Sequence, residues 1–554
     1  MDADVIVIGA GLSGLVATAE LAAAGRSVIL LDGEPAQSLG GQAYWSFGGL
    51  FMVDTPEQRR MRVKDSAALA LADWMGSAGF DSPSDYWPRR WAEAYVSFAS
   101  GELRSWLYGL GVRWFPVVQW AERGGGPIPG HGNSVPRFHI TWGTGPALVQ
   151  PFLDRIRGND RVRILNRHKV SGLETGPDGV RVNGQVLLAS TVPRGARSPD
   201  GVARDFSFSA SAVIISSGGI GGNVDLVRKY WPADWGRPPE KMIIGVPDFV
   251  DGSMLQVAEQ AGGRVINRTR MWHYPEGVIN HAPIWTEHGI RILPGPSALW
   301  VDAHGERLPF PLYPGFDALG ALRHITSRGD DHSWFVLDLE TVGKELALSG
   351  SEQNADLTGK DIRQLSTRVR PGPTPEVQAF LRRGADFVTA GSVDDLVARM
   401  NKLTGTDHID ADRLRQLIEL RDQQVVSGLG KDPQVTATAA ARRYLGDRLS
   451  RVATPHPYLD PRRPGAGIAG TGGPLVAVRL HVLTRKTLGG LETDLDGRVL
   501  TADGSPLPGV YAAGEVSGFG GGGVHGYRSL EGTFLGGCLF SGRVAGQAAA
   551  AAVG

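Results

Sequence analysis

The chain of 554 residues is long enough for several domains, and its hydrophobic (42%) and charged (21%) fractions are those of an ordinary globular protein. Its 57 basic and 57 acidic residues cancel, so net charge gives no argument for nucleic acid or an anionic membrane as partner. The single cysteine, Cys538, excludes an intrachain disulfide and a cysteine-rich metal site.

The first residues form a pattern typical of a dinucleotide-binding unit. Val5–Ile8 is a short apolar run, as expected of a buried parallel strand. Gly9, Gly11 and Gly14 have the G-x-G-x-x-G spacing: the first permits a tight turn, the second lets the backbone approach a pyrophosphate, and the third allows close helix packing. We expect a helix over residues 15–24 whose N-terminal amides face the phosphates.

An acidic residue follows at the distance that ribose binding requires. The second predicted strand, residues 27–31, ends at Asp32, eighteen residues after Gly14. A carboxylate about 20 residues beyond the third glycine binds a ribose hydroxyl in such units. Strand, helix, second strand and acid therefore agree on a dinucleotide site.

Further glycine pairs favour FAD over a nicotinamide cofactor. One segment, "SLGGQAYWSFGGLF" (38–51), carries two pairs, and a strand leading into "SSGG" (216–219) carries a third. Near the C-terminus, a predicted strand over residues 510–513 ends at Gly514 and Glu515, where a carboxylate can bind a ribityl hydroxyl.

These motifs carry a resemblance to a family. "VIVIGAGLSGL", the pair at 40–41, "SSGG" and "YAAGEVSG" resemble the flavoprotein subunits of fumarate reductase and succinate dehydrogenase, and also 3-ketosteroid Δ1-dehydrogenases. The resemblance implies an α/β protein: a doubly wound (Rossmann-like) FAD-binding domain built from both chain ends, with an inserted α+β capping domain. Succinate dehydrogenases tether their flavin to a histidine near the early Gly-Gly loop; residues 38–51 contain none, so we expect non-covalent FAD.

We place the FAD-binding domain at residues 1–270 and 484–554 and the cap at 271–483. Two amphipathic cap helices are predicted, one over 391–403 with Ser392 as N-cap and Val393, Leu396, Val397 and Met400 as its apolar face, the other over 410–425. Residues 190–206 read as an exposed hairpin or loop. The predicted cofactor-binding residues are Gly9, Ala10, Gly11, Leu12, Ser13, Gly14, Asp32, Gly40, Gly41, Gln42, Ser46, Gly48, Gly49, Val170, Ser217, Gly218, Gly219, Gly514, Glu515 and Leu530.

The reactive side chains are sought in "GFGGGGVHGYRSLEGTFLGG" (518–537). We expect residues 520–523 to form a wall beside the flavin, and a helix from "EGTF" onward to point its N-terminus at the ring. His525 and Tyr527 match the histidine–x–tyrosine order of ketosteroid dehydrogenases, which implies Tyr527 and the Gly532 amide as partners of a substrate ketone. "GVHGYR" also resembles fumarate reductases, which implies Arg528 as a carboxylate clamp; the alternative is an ion pair of Arg528 with Glu531.

Two departures favour the steroid-like template. Arg485 and Lys486 stand in "RKTLGG" where fumarate reductases carry a histidine, and "HGERLPFPLYPGFD" lacks the glutamate and second arginine of their proton-donating set. Ketosteroid dehydrogenases have a tyrosine in that region, so Tyr313 is the candidate base, which requires a lowered pKa. The loop containing His131 and His139 lies in a region that reaches the active site in the family.

Three functions stay open at this point. The first is an FAD-dependent dehydrogenase that introduces a C=C bond next to a ketone of a bulky, steroid-like substrate, with hydride passing to flavin N5. The second is a fumarate reductase-like enzyme for a small dicarboxylate, and the third a non-catalytic flavin-binding protein. We expect a cytoplasmic protein with no integral membrane segment, peripheral membrane contact remaining open, no metal and no nucleic acid, and a separate electron acceptor of unknown identity.

Overall fold

The computed structural model describes residues 1–125, 131–365, 368, 370 and 372–553. Up to residue 270 its strands are β1 Ala3–Ile8, β2 Val28–Asp32, β3 Gly49–Phe51, β4 Phe138–Ile140, β5 Val162–Asn166, β6 His168–Gly176, β7 Gly179–Leu187, β8 Val202–Ile215, β9 Met242–Ile244 and β10 Val265–Ile266. The helices of this part are α1 Leu12–Ala23, α2 Pro56–Arg60, α3 Ala67–Ala78, α4 Tyr86–Ser100, α5 Leu103–Gly109, α6 Thr144–Ile156, α7 Val224–Lys229 and α8 Ser253–Gln260.

The remainder of the chain continues in the same mixed α/β manner. Its strands are β11 Met271–Ile279, β12 Gly289–Leu293, β13 Leu299–Asp302, β14 His332–Asp338, β15 Ala347–Leu348, β16 Phe387–Ala390, β17 Leu475–Thr487, β18 Gly490–Leu491, β19 Arg498–Leu500 and β20 Pro506–Ala512. Its helices are α9 Ala318–Ser327, α10 Leu339–Glu345, α11 Ala355–Thr358, α12 Ile362–Leu365, α13 Pro375–Arg383, α14 Val393–Thr404, α15 Ala411–Ser427, α16 Pro433–Ala441, α17 Leu445–Ser450 and α18 Thr533–Ala552.

The two ends of the chain build one sheet together. Its strand order is β19-β20-β8-β1-β2-β5, and β20, β8, β1, β2 and β5 run parallel. The first strand pairs on both sides, with Val5 opposite Val28 and Ala212. Helices α1 and α18 pack on each other, so the C-terminal helix closes the unit that the first strand begins. This is the doubly wound architecture that the resemblance implies.

Helix α1 begins at Leu12, three residues earlier than predicted. Gly11 is its N-cap, with extended backbone and no capping side chain, so the amides of the first turn stay available at the cavity described below. The second strand ends on Asp32 itself, one residue later than expected.

A second sheet, largely antiparallel, forms the middle of the chain. Its order is β13-β14-β17-β11-β12-β15, with β16 and β9 also on β17. It carries its own hydrophobic core, drawn from residues 278–480, whereas Met271, Trp272 and Leu483 pack in the core of the first sheet. Strand β17 runs unbroken through the predicted boundary at 483, so the domain limits stay a prediction and the two units share this strand.

The two predicted cap helices are confirmed. Helix α14 begins after Ser392, whose side chain accepts from the Asp395 amide, and its four predicted apolar residues are buried. Helix α15 covers residues 411–427, close to the expected range. No helix of the described residues combines the length and the hydropathy that crossing a membrane requires.

Candidate functional site

A cavity of about 730 Å³ lies beyond the carboxyl ends of β1, β2 and β8. Ligands of open parallel sheets bind at this edge. The walls come from both ends of the chain, because the lining residues run from Ile8 to Cys538. The N-terminal turn, the end of β2 and the segment after β20 therefore meet at one site.

The three glycines of the first turn have different physical roles. A Cβ on Gly9 would lie 2.7 Å from the carbonyl oxygen of Ser216, and one on Gly14 would lie 2.0 Å from that of Gly9. Both glycines are therefore required by packing. A Cβ on Gly11 would meet only the Ser216 oxygen, at 4.0 Å, and Gly11 lines the cavity. Its missing side chain leaves room for a ligand at the start of α1.

Asp32 faces the cavity with its carboxylate held by the backbone. Oδ2 accepts from the Ala10 amide at 2.6 Å and Oδ1 from the Glu34 amide at 2.8 Å. Burial raises the pKa of Asp32, and these two amides oppose that rise. Each oxygen keeps a second lone pair, which is what two ribose hydroxyls need.

Glu515 also lines the cavity. Oε1 accepts from the Thr487 amide at 2.8 Å, and Oε2 accepts from the side-chain amide of Gln42. The side-chain oxygen of Gln42 is buried without a hydrogen-bond partner. Next to Thr487, burial and the charge of Arg485 lower the pKa of Lys486 to about 8. A buried acid and an unsatisfied polar atom therefore line the cavity, and the buried Lys486 lies outside its lining.

Residues 195–200 line the cavity, a role that the sequence did not predict. Gly195, Ala196, Arg197, Ser198 and Asp200 line it, although residues 190–206 were expected to be an exposed hairpin or loop. Arg167 holds this segment through a 2.8 Å bond to Ser198, and Arg194 donates to the Leu39 carbonyl at 2.6 Å. Arg167 and Leu39, the partner of Arg194, lie outside this segment, so glycine and proline content alone could not reveal the two contacts.

Of the predicted cofactor residues, eleven line the cavity: Gly9, Gly11, Leu12, Ser13, Asp32, Gly41, Gln42, Val170, Ser217, Gly218 and Glu515. The others do not line it: Ala10, Gly14, Gly40, Ser46, Gly48, Gly49, Gly219, Gly514 and Leu530. Leu530 lines instead a second, much smaller cavity of about 10 Å³. Sequence reasoning missed Glu34, His168, Lys169, Asp248 and Phe249 in the large cavity. They carry no local motif and are brought there by the sheet topology.

Tyr527 lies at the surface, with 43% of it exposed. Its hydroxyl donates to Asp81 at 3.0 Å, and the guanidinium of Arg270 lies 4.0 Å from its ring centre. It lines neither cavity. Its predicted role as ketone partner stays a prediction, and its contacts explain its position without one.

Arg528 does not pair with Glu531, contrary to one sequence-based expectation. It lies 3.0 Å from Asp317, the N-cap of α9, which also pairs with His131 at 3.1 Å. Burial acts to raise the pKa of Asp317, but these two partners outweigh it and bring the pKa to about 2. Glu531 instead accepts from Arg291 at 2.7 Å.

His525 is fully buried between the rings of Trp74, Phe519 and Phe534. Nε2 lies 2.9 Å from the Thr533 hydroxyl, at the start of α18, and Nδ1 has no hydrogen-bond partner. Burial lowers the pKa of His525 to about 3, so the ring is neutral. These contacts fit a packed structural histidine, the alternative role for this residue.

Tyr313 lacks the lowered pKa that a base at this position requires. Burial raises its pKa to about 12, although the charge of Arg307 acts in the opposite direction. Its hydroxyl is buried without a hydrogen-bond partner, and its ring packs against Phe310 and Phe316. Burial thus outweighs the nearby cation, which does not favour Tyr313 as a base, and its catalytic role stays a prediction.

Three glycines of the run at 520–523 are required by packing, and no residue of the run lines the large cavity. A Cβ on Gly520 or Gly521 would lie within 2.8 Å of Trp91 or of the Trp87–Pro88 backbone on α4. One on Gly522 would lie 2.6 Å from Ile266. The loop forms a tight junction with α4 and β10, and its predicted place beside the flavin stays a prediction.

The histidine-containing loop divides into two parts. His139 is buried and bonded to the Thr55 hydroxyl and the Arg137 carbonyl, both at 2.8 Å, and burial lowers its pKa to about 4. His131 lines the small cavity together with Glu122 and Glu531. Residues 126–130 of this loop lie outside the described residues.

Comparison with known proteins gives three similarities. The FAD binding domain family matches residues 4–535. A KsdD-like steroid dehydrogenase of Mycolicibacterium smegmatis is 59% identical over 535 residues, 96% of each chain, and a fumarate reductase (cytochrome) of Shewanella frigidimarina is 24% identical over 99% of this chain and 77% of the relative. The 3-ketosteroid Δ1-dehydrogenase of Sterolibacterium denitrificans has a similar structure, with a TM-score of 0.70, 18% identity and 99% of both chains covered.

Proposed function

The chain belongs to the FAD binding domain family, and we propose that it is an FAD-dependent dehydrogenase acting on a bulky, steroid-like ketone. The reaction introduces a C=C bond next to the carbonyl. One observation carries this proposal: 59% identity, over nearly the whole of both chains, to a relative named a KsdD-like steroid dehydrogenase. The predicted FAD cofactor and the predicted family are confirmed by the family match.

The large cavity fits FAD on its own chemistry. The open space at Gly11 and the uncapped first turn of α1 suit a pyrophosphate, and Asp32 presents acceptor lone pairs to a ribose. Glu515 and the unsatisfied oxygen of Gln42, which line the same cavity, suit the hydroxyls and ring edge of the flavin half. A buried amide oxygen left without a partner indicates a missing donor.

Each part of the site has a distinct task in this reaction. FAD, when bound, supplies the oxidising power by accepting a hydride. The chain positions FAD through the residues above, and Lys486 with the N-terminus of α18 supplies positive potential at the flavin end. With a pKa of about 8, Lys486 is mostly charged at pH 7.

The dicarboxylate alternative is weakened at two arginines that already have carboxylate partners, whereas the buried Arg485 forms no ion pair among the described residues. Arg528 pairs with Asp317, and Arg291 pairs with Glu531 and Glu276. A clamp for a dianionic substrate would need cations without such partners. The relative named as a fumarate reductase is also far more distant, at 24% identity. Electrons leave, in this proposal, to a separate acceptor.

The test is anaerobic bleaching of the bound flavin. We expect 4-androstene-3,17-dione or another 3-ketosteroid to reduce it and to lose two hydrogens, as mass spectrometry would detect. Fumarate should not reoxidise the dithionite-reduced protein, and succinate should not bleach the oxidised one. Bleaching by succinate but by no ketone would support the dicarboxylate function instead, and no bleaching by either class would support a non-catalytic flavoprotein.

A further inference from the structure

Exposed apolar side chains are concentrated in one stretch of the chain. Of the fourteen large hydrophobic residues that are exposed in the described part of the chain, five lie between residues 420 and 449. Three of the five, Leu429, Leu445 and Leu449, belong to residues 428–451, which we call the α16–α17 hairpin, and they are exposed by 88%, 41% and 60%. A single exposed leucine needs no explanation, but a group of them marks a surface that contacts another apolar medium.

Helix α16 turns an uncharged face to solvent. Its exposed residues are Pro433, Thr436, Ala439 and Ala440. They are spaced three and four apart, so they share one side of the helix. The solvent face of a surface helix normally carries charged and polar residues, and this one carries a single hydroxyl.

Helix α17 continues this surface. Leu445, Arg448 and Leu449 are exposed, whereas Gly446 and Asp447 between them are buried. Leu445 and Leu449 are one helical turn apart and Arg448 is their neighbour on the same side. The two leucines and the arginine can therefore contact one flat surface together.

The inner side of the α16–α17 hairpin is firmly held by the rest of the protein. The Tyr444 hydroxyl donates to the Val118 carbonyl at 2.6 Å, and Lys344 on α10 donates to the Leu449 carbonyl at 2.8 Å. Asp447 pairs with Arg123. The exposed leucines are thus presented on a fixed support rather than on a loose segment.

The exposed charges of the α16–α17 hairpin all have the same sign. Its two acids, Asp432 and Asp447, are buried and pair with Arg307 and Arg123, which lie outside the hairpin. The exposed charged residues are Lys431, Arg443 and Arg448, and none of them takes part in an ion pair with the described residues. An apolar surface flanked by unpaired cations is complementary to a lipid bilayer with negatively charged headgroups.

Another exposed apolar pair lacks this charge pattern. Leu188 and Val202 are exposed by 52% and 47%, and the Leu188 amide bonds to the Gly201 carbonyl, next to Val202. The carboxylates of Asp200 and Asp205 are exposed beside them. An anionic surface repels such carboxylates, so this second site provides a control with similar apolar exposure.

We propose that the α16–α17 hairpin docks this protein on an anionic lipid bilayer. Its three leucines enter the boundary between headgroups and acyl chains, and its three unpaired cations meet the lipid phosphates. The contact is peripheral and needs no membrane-spanning helix. A bulky apolar ketone partitions from water into a bilayer, so docking places the protein beside the pool that holds such a substrate. The docking itself does not depend on the proposed function.

The test is cosedimentation of the FAD-loaded protein with lipid vesicles, without any substrate. One set of vesicles is phosphatidylcholine alone, and the other contains about 30% phosphatidylglycerol. Wild type should bind the anionic vesicles at least tenfold more tightly than the neutral ones, because each cation near an anionic surface contributes about fivefold. Raising the salt from about 0.1 M to about 1 M should remove most of this difference.

Two double variants divide the surface into its apolar and its charged part. Leu445→Gln with Leu449→Gln should weaken binding to the anionic vesicles at least tenfold, because two apolar side chains no longer enter the bilayer. Arg443→Gln with Arg448→Gln should weaken it about 25-fold, roughly fivefold for each lost charge.

The matched control removes the same kinds of side chain elsewhere. Val202→Gln with Arg204→Gln takes away one exposed aliphatic residue and one exposed arginine, and binding should stay within about twofold of wild type. All substituted residues are exposed, so circular dichroism should show an unchanged fold in every variant.

The outcomes decide between the possible occupants of this surface. Equal binding to neutral and anionic vesicles, or an equal loss in the control, overturns the proposal. A dimer in sedimentation velocity that Leu445→Gln with Leu449→Gln abolishes, without vesicle binding by wild type, assigns the surface to a second copy of the chain and also overturns it. Flavin bleaching by a ketosteroid without vesicle binding refutes this inference alone, and vesicle binding without bleaching by any ketone refutes only the proposed function.

Discussion

The carboxylate of Asp32 is held by two backbone amides at the end of β2, so its free lone pairs have a fixed direction into the cavity. A ribose hydroxyl that binds there loses little entropy on the protein side, because the acceptor is already ordered.

We expect Asp32→Ala to weaken FAD binding at least tenfold, the loss of about one charge-assisted hydrogen bond of roughly 1.5–3 kcal/mol. Fluorescence titration of the apoprotein with FAD measures this, and circular dichroism checks that the fold is kept. Glu174→Ala, on the exposed β6–β7 hairpin, is the control. An unchanged dissociation constant for Asp32→Ala would remove Asp32 from the ribose site.

For single residues, the sequence predicted the positions of those that belong to local motifs. It did not predict the partners of residues that pair with distant parts of the chain. Gly9, Gly11 and Asp32 follow from spacing along one βαβ unit. Arg528 instead meets Asp317, more than two hundred residues earlier, and Glu531 meets Arg291. The three-residue separation of Arg528 and Glu531 suggested a helical pair, but α18 starts only at Thr533, so they do not share a helix face.

Among the elements, helix α10 is capped by Asp338, which also pairs with the titratable side chain of His456. Asp338 caps α10 by accepting from the Thr341 amide, and its other oxygen lies 2.6 Å from His456 Nε2. The hydrogen bond with Asp338 raises the pKa of His456 from 6.5 to about 9. Because the folded-state value is the higher one, the pair stabilises the chain fully below pH 6.5 and loses this contribution as the pH rises towards 9.

His456→Gln should therefore lower the melting temperature at pH 6 and have little effect at pH 9.5. A shift of this size corresponds to roughly 3 kcal/mol at most. Thermal unfolding by circular dichroism at both pH values measures the difference. His408→Gln, at an exposed cap position, should change neither value. An equal loss for His456→Gln at both pH values would contradict a charged pair.

Substitution of Gly521 tests whether the glycine run at 520–523 is needed for close packing against α4. Its φ of +67° and the 2.8 Å approach of a Cβ to the Trp87–Pro88 backbone both oppose a side chain. Gly504 has a similar φ of +84° but nothing within 4 Å, so it isolates the backbone strain of roughly 1–2 kcal/mol. In urea unfolding, Gly521→Ala should destabilise the protein clearly more than Gly504→Ala. Equal losses would show that the run is not needed for contact with α4.

Elements were predictable where their signals were local. Helix α14 carries its N-cap, Ser392, and its apolar spacing within twelve residues, and it forms as predicted. Residues 195–200 carry only glycine, proline and polar residues, which are typical of a surface loop. Arg167 bonds to Ser198 of that segment, and Arg194 bonds to Leu39. Arg167 and Leu39 lie far from the segment in the sequence, so its local composition does not reveal these contacts.

For the whole molecule, the absence of histidine from residues 38–51 predicts that FAD is held without a covalent bond. Acid precipitation of the purified yellow protein should therefore leave all flavin in the supernatant, identified as FAD by chromatography. Flavin retained in the washed pellet would show a covalent link and would contradict the prediction.

The cavity joins the first strand, the middle of the chain and the last helix, so bound FAD should stabilise the fold as a whole. Its lining extends from Ile8 through residues 195–200 to Cys538 on α18, and unfolding any of these parts destroys the site. A ligand that binds only the folded state adds RT ln(1 + [L]/Kd), roughly 2.7 kcal/mol at a hundredfold excess over Kd. We expect the melting temperature of the apoprotein to rise steadily with the logarithm of FAD concentration. FMN, which lacks the adenosine half, should need a much higher concentration for the same rise in melting temperature. Asp32→Ala should reduce this difference in the required concentrations of FAD and FMN, because the lost carboxylate serves only the adenosine half. A melting temperature independent of FAD would contradict a site built from both ends of the chain.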